Sequence, residues 1–210
     1  GFEIVARAHD GEAAIEAWER TRPDVGLVDL QMPVTDGIET IRTIRSLDPG
    51  ARLVVLTTYR GDARIAMALK AGARIVNDVW GLRRASASEA LSALDVVRGH
   101  PACGVCLMHM HGDPQTMQVA PMEGDAVPQV LLFLEQAAQS LQAQGVNKSR
   151  IVLDPGIGFG KTVAQNFALL ARQAELLVAG FPLLIGWSRK SSIGKALQPD
   201  APEPPPPGER

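Results

Sequence analysis

Ile151-Val-Leu-Asp154-Pro-Gly-Ile-Gly-Phe-Gly-Lys161 is the stretch that decides how this chain is read. Ile151–Asp154 has the length and apolar run of a buried strand, and it ends on a carboxylate. Proline and alternating glycines follow, a composition that breaks regular structure and forces a tight loop. In parallel α/β folds, polar residues at the carboxyl ends of strands are where sites are built. Asp154 is therefore a site candidate, and the chain around it is expected to be α/β.

The same unit recurs outward in both directions. Strands are expected at Phe2–Ala8, Val25–Asp29, Leu53–Thr57, Ile75–Val79, Gly104–His109, Ile151–Asp154 and Leu183–Gly186. Most are apolar on successive residues, as strands buried on both faces are. Amphipathic stretches at Gly11–Arg22, Gly37–Ser46, Asp62–Ala71, Ala126–Gln144 and Ala164–Ala179 lie between them. Strict alternation argues for parallel βα units with right-handed crossovers. About seven strands form an incomplete TIM-barrel-like fold, with an open flavodoxin-like sheet as the alternative. Residues 198–210 are a proline-rich tail that supplies no central strand.

Bulk properties narrow the function. The 210 residues are 46% hydrophobic and 21% charged with net charge −2, which marks neither a nucleic-acid nor a membrane surface. No apolar run approaches a membrane span and no secretory signal opens the chain, so a cytoplasmic protein is expected. Cys103 and Cys106 are read as buried free thiols, because positions three apart on a strand face opposite ways. His109 and His111 alternate like zinc ligands but lack a third ligand at suitable spacing. The glycine loop lacks the spacing of a phosphate-binding P-loop. No metal site is expected from these residues.

Two family resemblances divide the chain. Residues 1–73 carry Val28-Asp29-Leu-Gln-Met-Pro33, Asp36-Gly37, Leu56-Thr57-Thr58 and Ala68-Leu-Lys-Ala-Gly-Ala73, and they resemble a response-regulator receiver domain without its first strand. By that resemblance Asp29 is the phosphoacceptor and Thr57 reads the phosphoryl group in a phosphorelay. The acidic pair that would hold Mg²⁺ is absent, so Asp29 is expected to be a rim residue rather than a working phosphoacceptor.

Residues 74–197 carry Asn77-Asp78-Val79, Met108-His-Met-His-Gly-Asp-Pro114, the Asp154–Lys161 loop with Asn166, and Gly186-Trp-Ser-Arg-Lys-Ser191. They resemble dihydropteroate synthase, lacking that family's first three strands and its last. The resemblance implies a (βα)₈ barrel that joins 4-aminobenzoate to a pterin methyl diphosphate in folate biosynthesis. It implies Asn77, Asp154 and Lys190 on the pterin, with Ser188 and Arg189 toward 4-aminobenzoate. Met108, Gly158 and Phe159 would complete the pocket wall, and Lys190 and Asp154 would be the catalytic pair. Mg²⁺ belongs to that family's reaction, but its ligands would lie on the missing first strand.

The chemistry agrees with these assignments. A carboxylate accepts paired N–H groups from the edge of a pterin, an amide both donates and accepts, and an ammonium meets a ring carbonyl or developing negative charge. The two segments are expected to pack as one domain, a chimera joined at Ala71-Gly72-Ala73. With strands missing, turnover is expected to be impaired, and the open sheet edges invite a homodimer. The partners expected are small molecules, pterin and 4-aminobenzoate, and not nucleic acid or membrane.

Overall fold

A computed structural model describes residues 3–57, 62–78, 82, 92–113, 116–187 and 190–197. Five strands carry the fold among them: β1 Gly26–Asp29, β2 Leu53–Thr57, β3 Ile75–Asp78, β4 Gly104–Met108 and β5 Ile151–Asp154. They are all parallel and lie in chain order, β1-β2-β3-β4-β5. Such an order has no reversal point. It is the singly wound order of barrel proteins, whereas the flavodoxin-like alternative needs its strand order to double back.

Alternate residues face opposite ways across this sheet. One register row is Val28, Val55, Val76, Val105 and Ile151, each 5% exposed or less, and it packs beneath the helices. The adjacent row on the other face is Asp29, Leu56, Asn77, Cys106 and Val152, continued two residues on by Met108 and Asp154. Among the described residues the helices pack against the first of these faces. Leu27, on the second face, is 67% exposed, so burial on both faces does not hold for every strand. Asn77 and Asp154 both lie on that second face.

The helices are α1 Gly11–Thr21, α2 Gly37–Leu47, α3 Asp62–Ala71, α4 Ala93–Gly99, α5 Ala126–Ala143, α6 Val163–Ala171, α7 Gln173–Leu176 and α8 Ser191–Leu197. Short polar residues start most of them: Asp10, Asp36 and Asp125 accept backbone N–H groups at the heads of α1, α2 and α5. Reciprocal capping boxes, Ser92 with Asp95 and Thr162 with Gln165, start α4 and α6. Pro128 fits in the first turn of α5 because N–H groups there have no helical partner to lose.

Several expectations are corrected. Residues 3–8 form no strand, and Ile4 and Val5 are 67% and 49% exposed. A strand needs a neighbour to take up its backbone groups, and this segment pairs with none among the described residues. Leu183–Gly186 is reduced to a single bridge from Leu183 to Leu153, closed by Leu153 N–H to Pro182 O and Leu184 N–H to Leu153 O. Seven expected strands therefore become five. The expected helix Ala164–Ala179 breaks at Arg172 into α6, α7 and a 3₁₀ turn at Leu177–Ala179. β4 ends at Met108 rather than His109, and β3 at Asp78, with Val79 outside the described residues. The tail 198–210 also lies outside them.

Candidate active site

Asp154 ends β5 with 5% of its surface exposed. Its Oδ1 accepts the N–H of Gly156 at 2.7 Å, which turns the chain sharply after Pro155. Gly156 has φ +66°, and a Cβ there would lie 1.8 Å from the carbonyl oxygen of His109. Only glycine allows the loop to press so closely on the chain leaving β4. The two segments then zip together, His109 N–H to Asp154 O at 2.9 Å and His111 N–H to Phe159 O at 3.4 Å.

Phe159 leaves this loop to pack with Met108, Met110 and Met117, an apolar wall suited to a flat ring. Lys190, half-buried just before α8, holds its Nζ 4.4 Å from the centre of the Phe159 ring. Gly158 lies between them. Its N–H donates to Asn166 Oδ1 at 2.8 Å, and its carbonyl accepts from Gln118 Nε2 at 2.8 Å. Asn166 is 2% exposed and donates onward to Ser192 Oγ at 2.9 Å, tying the glycine loop to α8.

Beneath the loop lies a buried lysine. Lys161 is 4% exposed, and its Nζ reaches His109 Nδ1 at 2.9 Å, Gly156 O at 2.9 Å and Phe159 O at 3.1 Å. Burial dominates the titration of this cluster. It pushes the Asp154 carboxyl up to about 6, against the pull of the Gly156 N–H and of Lys190 and Lys161. It pushes the Lys161 ammonium down to about 7, opposed by Asp154 and reinforced by Lys190. Lys190 is lowered as well, again by burial and against Asp154.

Asn77 lies on the same sheet face, level with Cys106 and Val152 and one turn of the pleat below Asp154. Its Oδ1 is buried without a hydrogen-bond partner. A buried orphan acceptor is costly unless a ligand supplies the missing donor.

The fold thus brings Asn77, Met108, Asp154, Gly158, Phe159 and Lys190 to one end of one sheet face. Ser188 and Arg189 lie outside the described residues. Asp29 is exposed and its Oδ1 caps the backbone N–H of Gln31 at 2.9 Å, a turn-forming role. The backbone of Thr57 closes β2, and its side chain lies outside the described set. Among the described residues no three His, Cys, Asp or Glu side chains converge as a metal site. Nor is any described helix long and apolar enough to cross a membrane. The motif reading took Lys161 as the end of a glycine pattern and gave Asn166 no role. A lysine placed directly after the glycine loop was the one signal of its burial.

A parallel sheet in barrel order thus carries a buried acid and an unsatisfied amide on one face, with a lysine over an aromatic ring beside its carboxyl end. The profile of the pterin binding enzyme family matches residues 17–210, and the chain belongs to that family. Among its relatives, the dihydropteroate synthase of Escherichia coli K12 is 47% identical over 129 residues, 61% of this chain and 43% of that protein. The dihydropteroate synthase of Synechocystis is 40% identical over 186 residues, 88% of this chain and 61% of that protein. The crystal structure of the Thermus thermophilus dihydropteroate synthase with 4-aminobenzoate superposes with a TM-score of 0.71 at 34% identity, covering 88% of this chain and 71% of that one. The chain spans less than two thirds of the length of the first two enzymes. The family match covers the receiver-like segment from residue 17 on, and the receiver resemblance is left without support.

Proposed function

We propose that this chain binds the pterin of the dihydropteroate synthase reaction through Asn77, Asp154 and Lys190. The carrying observation is the buried, unpartnered Oδ1 of Asn77 on the same sheet face as Asp154. A pterin edge presents neighbouring N–H groups, which the Asp154 carboxylate can accept alongside the Gly156 N–H and which the orphan amide oxygen of Asn77 lacks. Stacking against Phe159 and the methionines shields the ring from water and strengthens those bonds. Lys190 supplies positive charge at the rim, where a ring carbonyl or a departing diphosphate needs it.

Kinship with the enzymes above supports a further proposed step, transfer of the pterin methylene to the amine of 4-aminobenzoate. Ser188 and Arg189, adjacent to Lys190 in sequence, are the proposed contacts to that second substrate. Among the described residues no three carboxylate, histidine or cysteine side chains converge as ligands for Mg²⁺. Calorimetry with a pterin tests the reading. Asp154→Ala and Lys190→Ala are each expected to weaken binding by tenfold or more, and equal binding by all three proteins would dispose of the pocket.

A further inference from the structure

We propose that Lys161 is a positioning residue for this pocket, the buried counter-charge that keeps Asp154 ionised and able to accept two N–H groups. The inference rests on the reading of Asp154 as the acceptor for the pterin edge.

The geometry gripping Gly156 from both sides carries it. Asp154 takes the N–H of Gly156 at 2.7 Å, and Lys161 donates to the carbonyl of the same residue at 2.9 Å. Both side chains are almost fully buried, at 5% and 4% exposure. Opposite charges held at this depth act through a medium of low polarisability, where their attraction is far stronger than in water. Lys190 also faces Asp154 and pulls on it more strongly, but it is only half-buried and its ammonium leans on the Phe159 ring. Lys161 has no such freedom, since three acceptors fix its Nζ.

A purely structural role does not need a cation. Joining the carbonyls of Gly156 and Phe159 is work for any N–H donor, and an amide would do it without the penalty of burying charge. The third bond adds a consequence. An ammonium has only hydrogens to give, so a charged Lys161 makes His109 Nδ1 the acceptor. His109 is then neutral with its proton on Nε2, and the cluster holds no third cation from that side.

The charged and titratable groups facing the pair, among the described residues, are few. Lys161 and Lys190 face Asp154 from the glycine loop and from the segment before α8. Cys106 faces it from β4, and burial together with Asp154 pushes its thiol far up, so it stays neutral. His109 faces Lys161 from the end of β4. Asp154 and Lys161 shift in opposite senses, the acid upward and the base downward, so both are ionised together only near neutral pH.

The test follows binding of fluorescent 6-hydroxymethylpterin by the whole chain between pH 5 and 7.5. Parent binding should fall away on the acid side as Asp154 takes a proton. In Lys161→Met that acid limb moves upward by about one pH unit, which is about tenfold weaker binding at pH 5 and less than about twofold at pH 7.5. An unmoved limb, or an equal loss at every pH, overturns the proposal, because loop disruption alone is blind to pH. Asp154→Asn separates the two layers. If it binds as the parent does, the pocket reading itself fails; if it binds poorly at all pH while Lys161→Met leaves the limb in place, only the present inference fails.

Should Lys161→Met not fold, nitrogen NMR of the lysine side chains in the parent and in Asp154→Asn decides the matter. The lysine that titrates near neutrality should lose its proton at lower pH once its acidic partner is gone. An unchanged midpoint overturns the coupling.

Discussion

Replacing Gly156 by alanine sets the packing of the site against a control only two residues away. Both Gly156 and Gly158 have positive φ, +66° and +82°, so an alanine pays a left-handed penalty of about 1 kcal/mol at either. Their surroundings differ. At Gly156 the new methyl lies 1.8 Å from the carbonyl oxygen of His109, and the N–H of the same residue is bonded to Asp154 O, so the backbone cannot simply retreat. The loop must lift instead, loosening the Asp154 and Lys161 bonds to Gly156, each worth about 1.5 kcal/mol or more as a charge-assisted contact. The sum is about 4 kcal/mol. At Gly158 the nearest atom is Lys190 Cδ at 3.3 Å, part of a flexible side chain that swings aside. Urea denaturation of the two variants should therefore show a loss of about 4 kcal/mol for Gly156→Ala and about 1 kcal/mol for Gly158→Ala. Pterin binding should weaken in the second as well, because its methyl displaces Lys190. Equal losses of stability, or a smaller loss at Gly156, would refute the account of how the loop is seated.

Other outcomes follow from the same contacts. The Asp154 carboxyl is raised to about 6 from the ordinary 3.8, so the stability it contributes is complete below the lower value and lost as pH rises through the upper one. Asp154→Asn removes that loss and should gain about 3 kcal/mol relative to the parent between pH 4 and pH 7, read from urea melts at each pH; a flat difference would contradict the burial argument. Asn166→Ala strips the Gly158 N–H and Ser192 Oγ of a buried partner and should cost about 2 kcal/mol, with weaker pterin binding as α8 loosens from the loop. Thr162→Ala loses one half of the α6 capping box and should cost about 1 kcal/mol in thermal melts while leaving pterin affinity unchanged.

Much of this architecture was legible before folding was considered. The five strands that form, at 26–29, 53–57, 75–78, 104–108 and 151–154, all lie within the apolar runs expected to be strands. The expectations that failed did so for a shared reason. Residues 3–8 have strand-like composition without a neighbour, and Leu183 pairs by one bridge only, whereas a strand exists through hydrogen bonds to another strand. The receiver-like motif around Asp29 misled because an apolar strand ending on aspartate is common to many parallel folds, and here that aspartate caps a turn at the surface.

Sequence alone determined the parallel βα class, the family kinship of residues 74–197, and the candidate residues Asn77, Met108, Asp154, Phe159 and Lys190. The tertiary structure decided which of them are buried, and burial sets their chemistry. Lys161 reads as one more basic residue after a glycine loop until three acceptors close around its ammonium. Asn77 was already a site candidate by motif, but only packing shows that its oxygen loses water and gains no protein donor. Neighbours brought together from distant positions create both conditions, and local composition does not encode the cost of removing a charge or an amide from water.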